Sequence, residues 1–371
     1  MKNLELFPDD FCQIETTPNI QTEKNSFTSI ELFAGAGGLA LGLEKAGFEA
    51  VLLNEWDRHA CNTLRLNRPE WNVLEGDICE IDFMPYRDKI DLLSGGFPCQ
   101  AFSYAGKGEG FNDIRGTMFF QFARAISEIR PKVILGENVR GLVTHDGGRT
   151  FTTIKKTLQE LGYRLIEPKI LNAVKYRVPQ KRERIFIVGI REDLADNIQF
   201  SWPEPFKREM TMADALKAGE LYPTDVPKSE GQIYPEHKKA VLDLVPPGGC
   251  WRDLPDDVAR TYMKGSYFLG GGKTGMARRL GWFEPSLTLT CSPAQNQTER
   301  CHPDETRPLT VREYARIQTF PDEWQFSGSL ANQYKQIGNA VPVNLAESVG
   351  RELINVLKQI RTSKKHTQHI V

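Results

Sequence analysis

Residues 30–48 read IELFAGAGGLALGLEKAGF, a pattern that predicts a strand, a glycine-rich turn and a helix in immediate succession. Gly35, Gly37 and Gly38 allow the backbone to turn sharply and leave room for a ligand beside it. The spacing is G-x-G-G and differs from the G-x-G-x-x-G of dinucleotide-binding proteins. Because such a turn also occurs in unrelated α/β proteins, the residues at the ends of the following strands indicate what it binds.

Acidic residues follow at the ends of the next two predicted strands. Glu55 comes twenty residues after Gly35 and is placed to accept hydrogen bonds from ribose hydroxyl groups. Trp56 offers a flat face for an adenine ring. Asp77, one strand later, suits an exocyclic amine. Together these residues predict a site for a nucleoside-containing ligand.

Short apolar runs alternate with amphipathic stretches between residues 28 and 191. The runs include residues 29–34, 50–54, 90–94, 132–136 and 184–190, and the amphipathic stretches include residues 39–46, 117–129 and 151–161. This alternation predicts an α/β fold with a mostly parallel sheet and helices on both faces. Many prolines and glycines from Asp193 to about Arg307 predict a second domain that is small and irregular.

The composition excludes several classes of protein. The 371 residues carry a formal net charge of −1, and no apolar run is long enough to span a membrane. The N-terminus lacks the basic-then-apolar layout of a signal peptide. The seven cysteines contain no C-x-x-C pair, so neither a metal site nor a dithiol redox site is expected. We therefore predict a soluble cytoplasmic protein with reduced thiols.

A cysteine and three charged residues lie at the ends of predicted strands further along the chain. Cys99 lies in the loop GGFPCQ, whose glycines and proline favour an exposed, reactive thiol over a buried structural one. Glu137 ends an apolar run, where a side chain of an α/β sheet points into the ligand crevice. Arg182 and Arg184 alternate and so fall on opposite faces. One arginine is predicted to reach the site while the other braces the sheet.

Nine blocks of sequence, read in order, resemble the signature blocks of the DNA cytosine-C5 methyltransferases. They run from Glu31 to Pro342 and read ELFAGAGG, NEWD, GDI, GGFPCQ, DIRGTMFF, ENV, VPQKRER, RPLTVREYARIQTFP and YKQIGNAVP. A variable region interrupts them where that family keeps its target recognition domain. The resemblance implies the Rossmann-like fold of class I methyltransferases that depend on S-adenosylmethionine.

On this resemblance the chain divides into five segments. Helical patterns return at residues 310–318 and 345–360, and residues 361–371 have the character of a basic tail. The predicted segments are an N-terminal extension (1–27), a catalytic domain that binds S-adenosylmethionine (28–192), a target recognition domain (193–306), a hinge or return segment (307–333) and a C-terminal segment that completes the catalytic domain (334–371).

The resemblance also assigns roles to single residues. It implies that Cys99 adds to C6 of a flipped-out cytosine, that Glu137 donates to N3, and that Arg184, with Arg182 as its neighbour, contacts O2. The methyl donor would be S-adenosylmethionine, and a glycine-hinged loop at residues 97–115 would close over the base. Together with Gly35 and Gly37, the residues implied to line the cofactor pocket are Phe33, Glu55, Trp56, Asp77, Ile78, Pro98, Met118 and Asn339.

The basic run at residues 258–283 is the predicted DNA contact. It contains five basic residues and no acidic one. Of these, Lys264, Lys273, Arg278 and Arg279 are predicted to bind DNA. Taken alone, the segment is equally consistent with a solvated basic loop. The resemblance implies double-stranded DNA as the partner of a monomeric, prokaryotic restriction–modification enzyme. A cognate restriction endonuclease is a candidate partner in such a system, without a stable complex.

Three other functions compete with this interpretation. A nucleobase deaminase fails because the second cysteine of P-C-x-x-C would fall at Phe102 and no H-x-E triplet occurs. The tRNA-directed members of the same family carry a Cys-Phe-Thr signature that this sequence lacks. A catalytically inactive DNA-binding relative is expected to have lost the thiol or the carboxylate, yet Cys99, Glu137 and Arg184 are all present.

Overall fold

The computed structural model describes residues 26–98, 118–269, 274–295 and 298–368. Its main sheet contains strands β1 (Phe27–Leu32), β2 (Phe48–Glu55), β3 (Val73–Glu75), β4 (Leu92–Gly95), β5 (Val133–Val139), β6 (Tyr163–Leu165), β7 (Lys169–Asn172) and β9 (Glu183–Arg191). The order is β3–β2–β1–β4–β5–β9–β6, and β7 also pairs with β9. A separate two-stranded pair joins β8 (Gln180–Lys181) to β10 (Ser286–Leu287).

The predicted mostly parallel sheet is confirmed. Strands β3, β2, β1, β4 and β5 pair in parallel. Strand β9 is antiparallel to β5, β6 and β7, so within the main sheet it alone runs against the common direction. The parallel strands end at one edge, and that edge therefore collects the residues that follow β1, β2, β3, β4 and β5.

Helices cover both faces of the sheet, as predicted. Among the described residues, the helices are α1 (Gly38–Ala46), α2 (Arg58–Asn67), α3 (Met118–Ile129), α4 (Arg149–Glu160), α5 (Met212–Leu216), α6 (Glu236–Asp243), α7 (Asp256–Met263), α8 (Val311–Ile317), α9 (Leu330–Asn339) and α10 (Val343–Gln368). Helices α1 and α10 lie on one face of the sheet, and α3 lies on the other. Leu92 packs with Leu43 of α1 and Leu353 of α10, whereas the next residue, Leu93, packs with Phe122 of α3. Successive side chains of a strand point to opposite faces, which explains the two separate cores.

Helices α1 and α10 lie side by side although they are far apart in sequence. A Cβ atom at Gly42 would lie only 2.4 Å from the Cβ atom of Ala346, so glycine is what permits this close approach. Helix α10 continues to Gln368, so most of the predicted basic tail beyond residue 360 is helical. Its Arg361 guanidinium lies 3.9 Å from the ring centre of Phe27, which ties this part of the helix to the start of β1.

The irregular region contains its own small apolar core. Short helices α5, α6 and α7 and the two residues of β10 are its regular elements, in agreement with the low content predicted from proline and glycine. Seven buried residues form the separate core, namely Tyr234, Leu242, Val245, Leu254, Ala259, Ala277 and Cys301. Helix α5 instead packs with α8 and α9. The segment boundaries therefore stay a prediction.

Outside the irregular region, helices α2 and α9 were not predicted, and both are polar. Helix α2 begins at the Asp57 side chain, which accepts from the main-chain N–H groups of His59 and Ala60. Helix α9 begins at Ser329, whose side chain accepts from the N–H of Asn332. Within the described ranges, no helix is both long and apolar enough to cross a membrane.

Candidate active site

The glycine turn after β1 is shaped to leave space for a ligand. Phe33, Gly35 and Gly37 have φ angles of 58°, 55° and 84°, in the left-handed region that favours glycine and strains phenylalanine. A Cβ atom at Gly35 would have no neighbour within 4 Å, whereas one at Gly38 would lie 2.2 Å from the carbonyl oxygen of Val341. Gly38 therefore allows the C-terminal part of the chain to pack against the turn, while Gly35 faces open space.

Glu55 ties the glycine turn to the turn that follows β2. Its Oε2 accepts from the Gly35 N–H at 2.7 Å. Its Oε1 accepts from the N–H groups of Trp56 at 2.8 Å and Asp57 at 2.7 Å. A carboxylate oxygen can accept two hydrogen bonds, so Oε2 keeps one acceptor position for a further donor. The two turns therefore form one cradle with a free acceptor.

Of the remaining predicted cofactor residues, Trp56, Asp77 and Ile78 follow the ends of strands β2 and β3. Trp56 is 70% exposed, which leaves its ring available for stacking. Asp77 follows β3 and accepts from the Cys79 N–H at 2.9 Å, and Ile78 beside it is buried. Pro98 is exposed and lies directly before residues 99–117, which the structure does not describe. Met118 is the first residue of α3, and Asn339 is the exposed last residue of α9.

A buried ion pair occupies the ends of β5 and β9. Arg184 Nε lies 2.9 Å from Glu137 Oε1, and the two side chains are 12% and 9% exposed. The antiparallel register, which pairs Val139 with Arg184, brings the two residues to the same place. Glu137 Oε1 has no aligned hydrogen-bond donor, so the attraction is that of an ion pair and the oxygen can still accept.

Burial dominates the electrostatics of this pair. It raises the pKa of Glu137, while the charges of Arg184 and Arg182 oppose the rise. Burial likewise lowers the pKa of Arg184, against the opposing effect of Glu137. A carboxyl group with a raised pKa stays protonated to a higher pH than usual and can act as a hydrogen-bond donor.

The strand that leads to Cys99 is fixed against Glu137. A Cβ atom at Gly96 would lie 3.0 Å from Glu137 Oε2. Asn138 Nδ2 donates to the carbonyl oxygen of Phe97 at 2.7 Å. The predicted nucleophile Cys99 and the predicted loop, from residue 99 onwards, lie outside the described residues. The structure therefore positions the carboxyl group and the chain immediately before the thiol.

Arg182 has a different environment from Arg184. It is 1% exposed, and its guanidinium donates to the carbonyl oxygens of Leu289 at 3.1 Å and Gly338 at 2.8 Å. Burial lowers the pKa of Arg182 to about 9. These contacts join the irregular region and α9 to the sheet. They favour a positioning role for Arg182 over contact with a substrate.

The prediction that Arg279 contacts DNA is not supported by its position. The side chain is buried, and its guanidinium donates to main-chain oxygens of Val245, Leu242 and His302 and to Thr306 Oγ1. All its nitrogen atoms are thus used within the protein. The guanidinium of Arg279 therefore stabilises the irregular region through buried hydrogen bonds.

The other predicted DNA contacts differ in accessibility. Lys264 is exposed at the end of α7 and has a φ angle of 50°, which is strained for a lysine. Arg278 is largely buried and pairs with Glu284 at 2.5 Å. Lys273 lies outside the described residues. Among the predicted DNA contacts that the structure describes, Lys264 alone is exposed.

Glu31 is a buried acidic residue of this edge that the sequence analysis overlooked. It lies in β1, is 4% exposed and has an Oε2 atom without a hydrogen-bond partner. Burial raises the pKa of Glu31 well above its usual value, and the charges of Glu137 and Glu55 add to the rise. The sequence signal for Glu31 is an acidic residue in the middle of the apolar run at residues 29–34. Among the described residues, no group of three possible ligands could hold a metal ion.

Comparison with known proteins gives matches along most of the chain. A family model described as C-5 cytosine-specific DNA methylase matches residues 27–355. The Type II methyltransferase M.Eco47II of Escherichia coli is 66% identical over 336 residues, covering 91% of this chain and 81% of that protein. The Type II methyltransferase M.Sau96I of Staphylococcus aureus is 51% identical, covering 95% and 80%. The crystal structure of a DNA modification methyltransferase encoded within an Escherichia coli prophage has a TM-score of 0.63 and 24% identity, covering 90% and 100%, which supports the fold alone.

Proposed function

Because this chain belongs to the family of C-5 cytosine-specific DNA methylases and is a DNA (cytosine-5-)-methyltransferase, we propose that it methylates a cytosine flipped out of duplex DNA within a short specific sequence. The observation that carries the proposal is the buried pair of Glu137 and Arg184 beside the strand that leads to Cys99. An acid and a guanidinium side by side match the N3, amine and O2 groups along one edge of cytosine.

S-adenosylmethionine is the proposed cofactor, and it supplies the transferred methyl group when bound. The residues of the cradle fit its adenosine part. The open space beside Gly35 gives room for the chain of the ligand, and the exposed face of Trp56 can stack on adenine. The free acceptor position of Glu55 Oε2 suits a ribose hydroxyl group.

Cys99 is proposed to start the reaction. C5 of cytosine is a poor nucleophile until a thiolate bonds to C6 and shifts the electrons of the C5–C6 double bond towards C5. After C5 has gained the methyl group, loss of the C5 proton and departure of the Cys99 sulfur restore that double bond. Cys99 lies outside the described residues, so this role rests on the sequence and on the position of the chain before it.

Glu137 is proposed to act as a neutral acid. In that form it donates to N3, which offsets the negative charge that develops in the ring, while its other oxygen accepts from the exocyclic amine. Burial raises the pKa of Glu137 above its ordinary value, and this direction favours the protonated state. Arg184, held next to it, is proposed to donate to O2.

We further propose that the enzyme protects DNA in a restriction–modification system, and the similarity to two proteins named Type II methyltransferases, M.Eco47II and M.Sau96I, supports this. The irregular region would recognise the sequence, with Lys264 at its exposed surface and Lys273 as DNA contacts. Arg278 could join them only by leaving Glu284. A monomer suffices, since one chain methylates one strand at a time.

Bisulfite sequencing of plasmid DNA from cells that express the chain tests these proposals. The comparison includes Cys99→Ser and, as a matched control, Cys12→Ser, which lies in none of the nine blocks. We expect protected cytosine at one short motif with the wild type and Cys12→Ser but not with Cys99→Ser. Protection that persists in Cys99→Ser would refute the nucleophile. No protected cytosine with soluble wild-type protein would refute the proposed specific target.

A further inference from the structure

A lysine of α9 pairs with the turn that carries two predicted cofactor residues. Lys335 Nζ lies 2.9 Å from Asp57 Oδ2, and the side chains are 54% and 33% exposed. Asp57 directly follows Glu55 and Trp56. Lys335 precedes Asn339 by four residues and therefore lies on the same face of α9. The pair thus connects two parts of the cofactor site that are 278 residues apart in sequence.

Asp57 also caps helix α2, and this cap does not depend on the lysine. Its Oδ1 accepts from the N–H groups of His59 at 2.9 Å and Ala60 at 3.3 Å and so begins α2. The ion pair uses Oδ2. Because the two oxygens serve different partners, the helix cap and the ion pair can be separated by mutation.

The fold does not need Lys335 to hold α9 in place. Thr63 Oγ1 of α2 donates to Gln336 Oε1 at 2.6 Å in a buried contact. Arg182 donates to the carbonyl oxygen of Gly338 at 2.8 Å. These buried bonds fix α9 to its surroundings, whereas the pair of Lys335 and Asp57 lies at the surface, beside the turn.

We propose that Lys335 is a cofactor-positioning residue that holds the turn at Asp57 and thereby keeps Trp56 in place for S-adenosylmethionine. This inference rests on the proposed cofactor. Glu55 fixes the turn to Gly35 and the Asp57 cap fixes it to α2, so loss of the lysine removes one of several restraints on the turn. An exposed ion pair contributes little, so the Kd and KM for the cofactor are expected to rise about threefold and at most about fivefold. The kcat stays unchanged, because the pair contacts the turn and not Glu137 or Arg184.

A double-mutant cycle tests the proposal, with Lys335→Met, Asp57→Asn and the double variant. Asparagine begins helices about as well as aspartate, so Asp57→Asn removes the charge and keeps the cap. Calorimetric titration with S-adenosylmethionine is expected to give the same weakening for each single variant and for the double variant. The difference from wild type should shrink between about 50 mM and about 300 mM salt, because salt screens an exposed pair.

A matched control and three outcomes make the test decisive. Lys239→Met breaks a pair of similar geometry, 3.0 Å from Asp243 with 46% and 45% exposure, and should leave cofactor affinity unchanged. Wild-type protein that does not bind S-adenosylmethionine would overturn the proposed cofactor itself. Wild-type binding with an unchanged Lys335→Met variant, or with additive effects in the double variant, would overturn the role of Lys335 alone. A fall in kcat and thermal stability that accompanies the rise in KM would reduce Lys335 to a structural residue and also overturn it.

Discussion

Replacement of Glu137 by glutamine removes an acidic proton while leaving the shape of the site almost unchanged. The amide can still donate to N3 and accept from the exocyclic amine, so the cytosine should still bind. What the variant loses is a proton that can move to N3 as charge develops in the ring. General acid catalysis of this kind contributes about 10²- to 10⁴-fold, or about 3–5 kcal/mol of the barrier, and kcat should fall by that factor.

The structure indicates a smaller cost to folding. Breaking a fully charged buried pair by removing one partner costs about 3–5 kcal/mol. Burial raises the pKa of Glu137, which favours its neutral form and weakens the ion pair that the variant would lose. Arg184 also keeps its Nη1 contact to the Glu183 carbonyl oxygen at 2.8 Å. We therefore expect Glu137→Gln to lower the free energy of unfolding by only about 1–2 kcal/mol, the range of an ordinary lost partner.

Single-turnover methylation of a cognate duplex, measured from about pH 5.5 to about 9.5, distinguishes these effects. The wild-type rate should rise as Cys99 ionises and fall again as Glu137 loses its proton, and Glu137→Gln should lack the falling limb. Glu183→Gln is the control, since that neighbouring carboxylate pairs with Arg140 at the surface. The same falling limb in wild type and Glu137→Gln, or rates within about tenfold, would refute the neutral-acid role.

Three further predictions concern neighbouring residues. Arg184→Met removes the largest charge that lowers the pKa of Glu137, so the falling limb should move to higher pH, and an unmoved limb would contradict the pairing. Because the pKa of Glu31 is raised, the folded protein holds a proton that the unfolded chain releases. The free energy of unfolding should therefore fall as pH rises above the ordinary glutamate range. Glu31→Gln should reduce that fall, measured by urea unfolding between about pH 5 and 8. Gly38→Ala places a methyl group 2.2 Å from the carbonyl oxygen of Val341. Its urea midpoint should show a loss of about 1–3 kcal/mol, and an unchanged midpoint would contradict the tight packing.

The core of the fold could be predicted because its signals are local. The glycine turn, the apolar strands and the amphipathic helices α1, α3 and α4 each display their periodicity within a few residues. The same local order places Glu55, Asp77 and Glu137 at strand ends, and parallel strands then bring those ends to one edge. The polar helices α2 and α9 have weaker apolar stripes, and their first residues are recognisable mainly by the side chains that begin them.

Contacts between distant segments could not be predicted. Arg279 belongs to a basic stretch typical of a DNA contact, but main-chain carbonyl oxygens of Leu242, Val245 and His302 surround its guanidinium. Alternation showed that Arg182 and Arg184 differ in direction, yet only the structure places Gly338 and Leu289 around the first of them. The link between Lys335 and Asp57 likewise spans 278 residues and leaves no pattern in either local sequence.

The contact between α1 and α10 has a consequence for biosynthesis. A ribosome adds about 5–20 residues per second, so roughly 15–60 seconds separate the completion of α1 from the appearance of α10. During that interval the apolar side of α1, with Leu39 and Leu43, lacks the partner that covers it in the finished enzyme. The nascent chain therefore exposes an apolar surface to chaperones for most of its translation. Chains released before residue 343 would keep that surface exposed and should be cleared or aggregate rather than survive as a smaller enzyme.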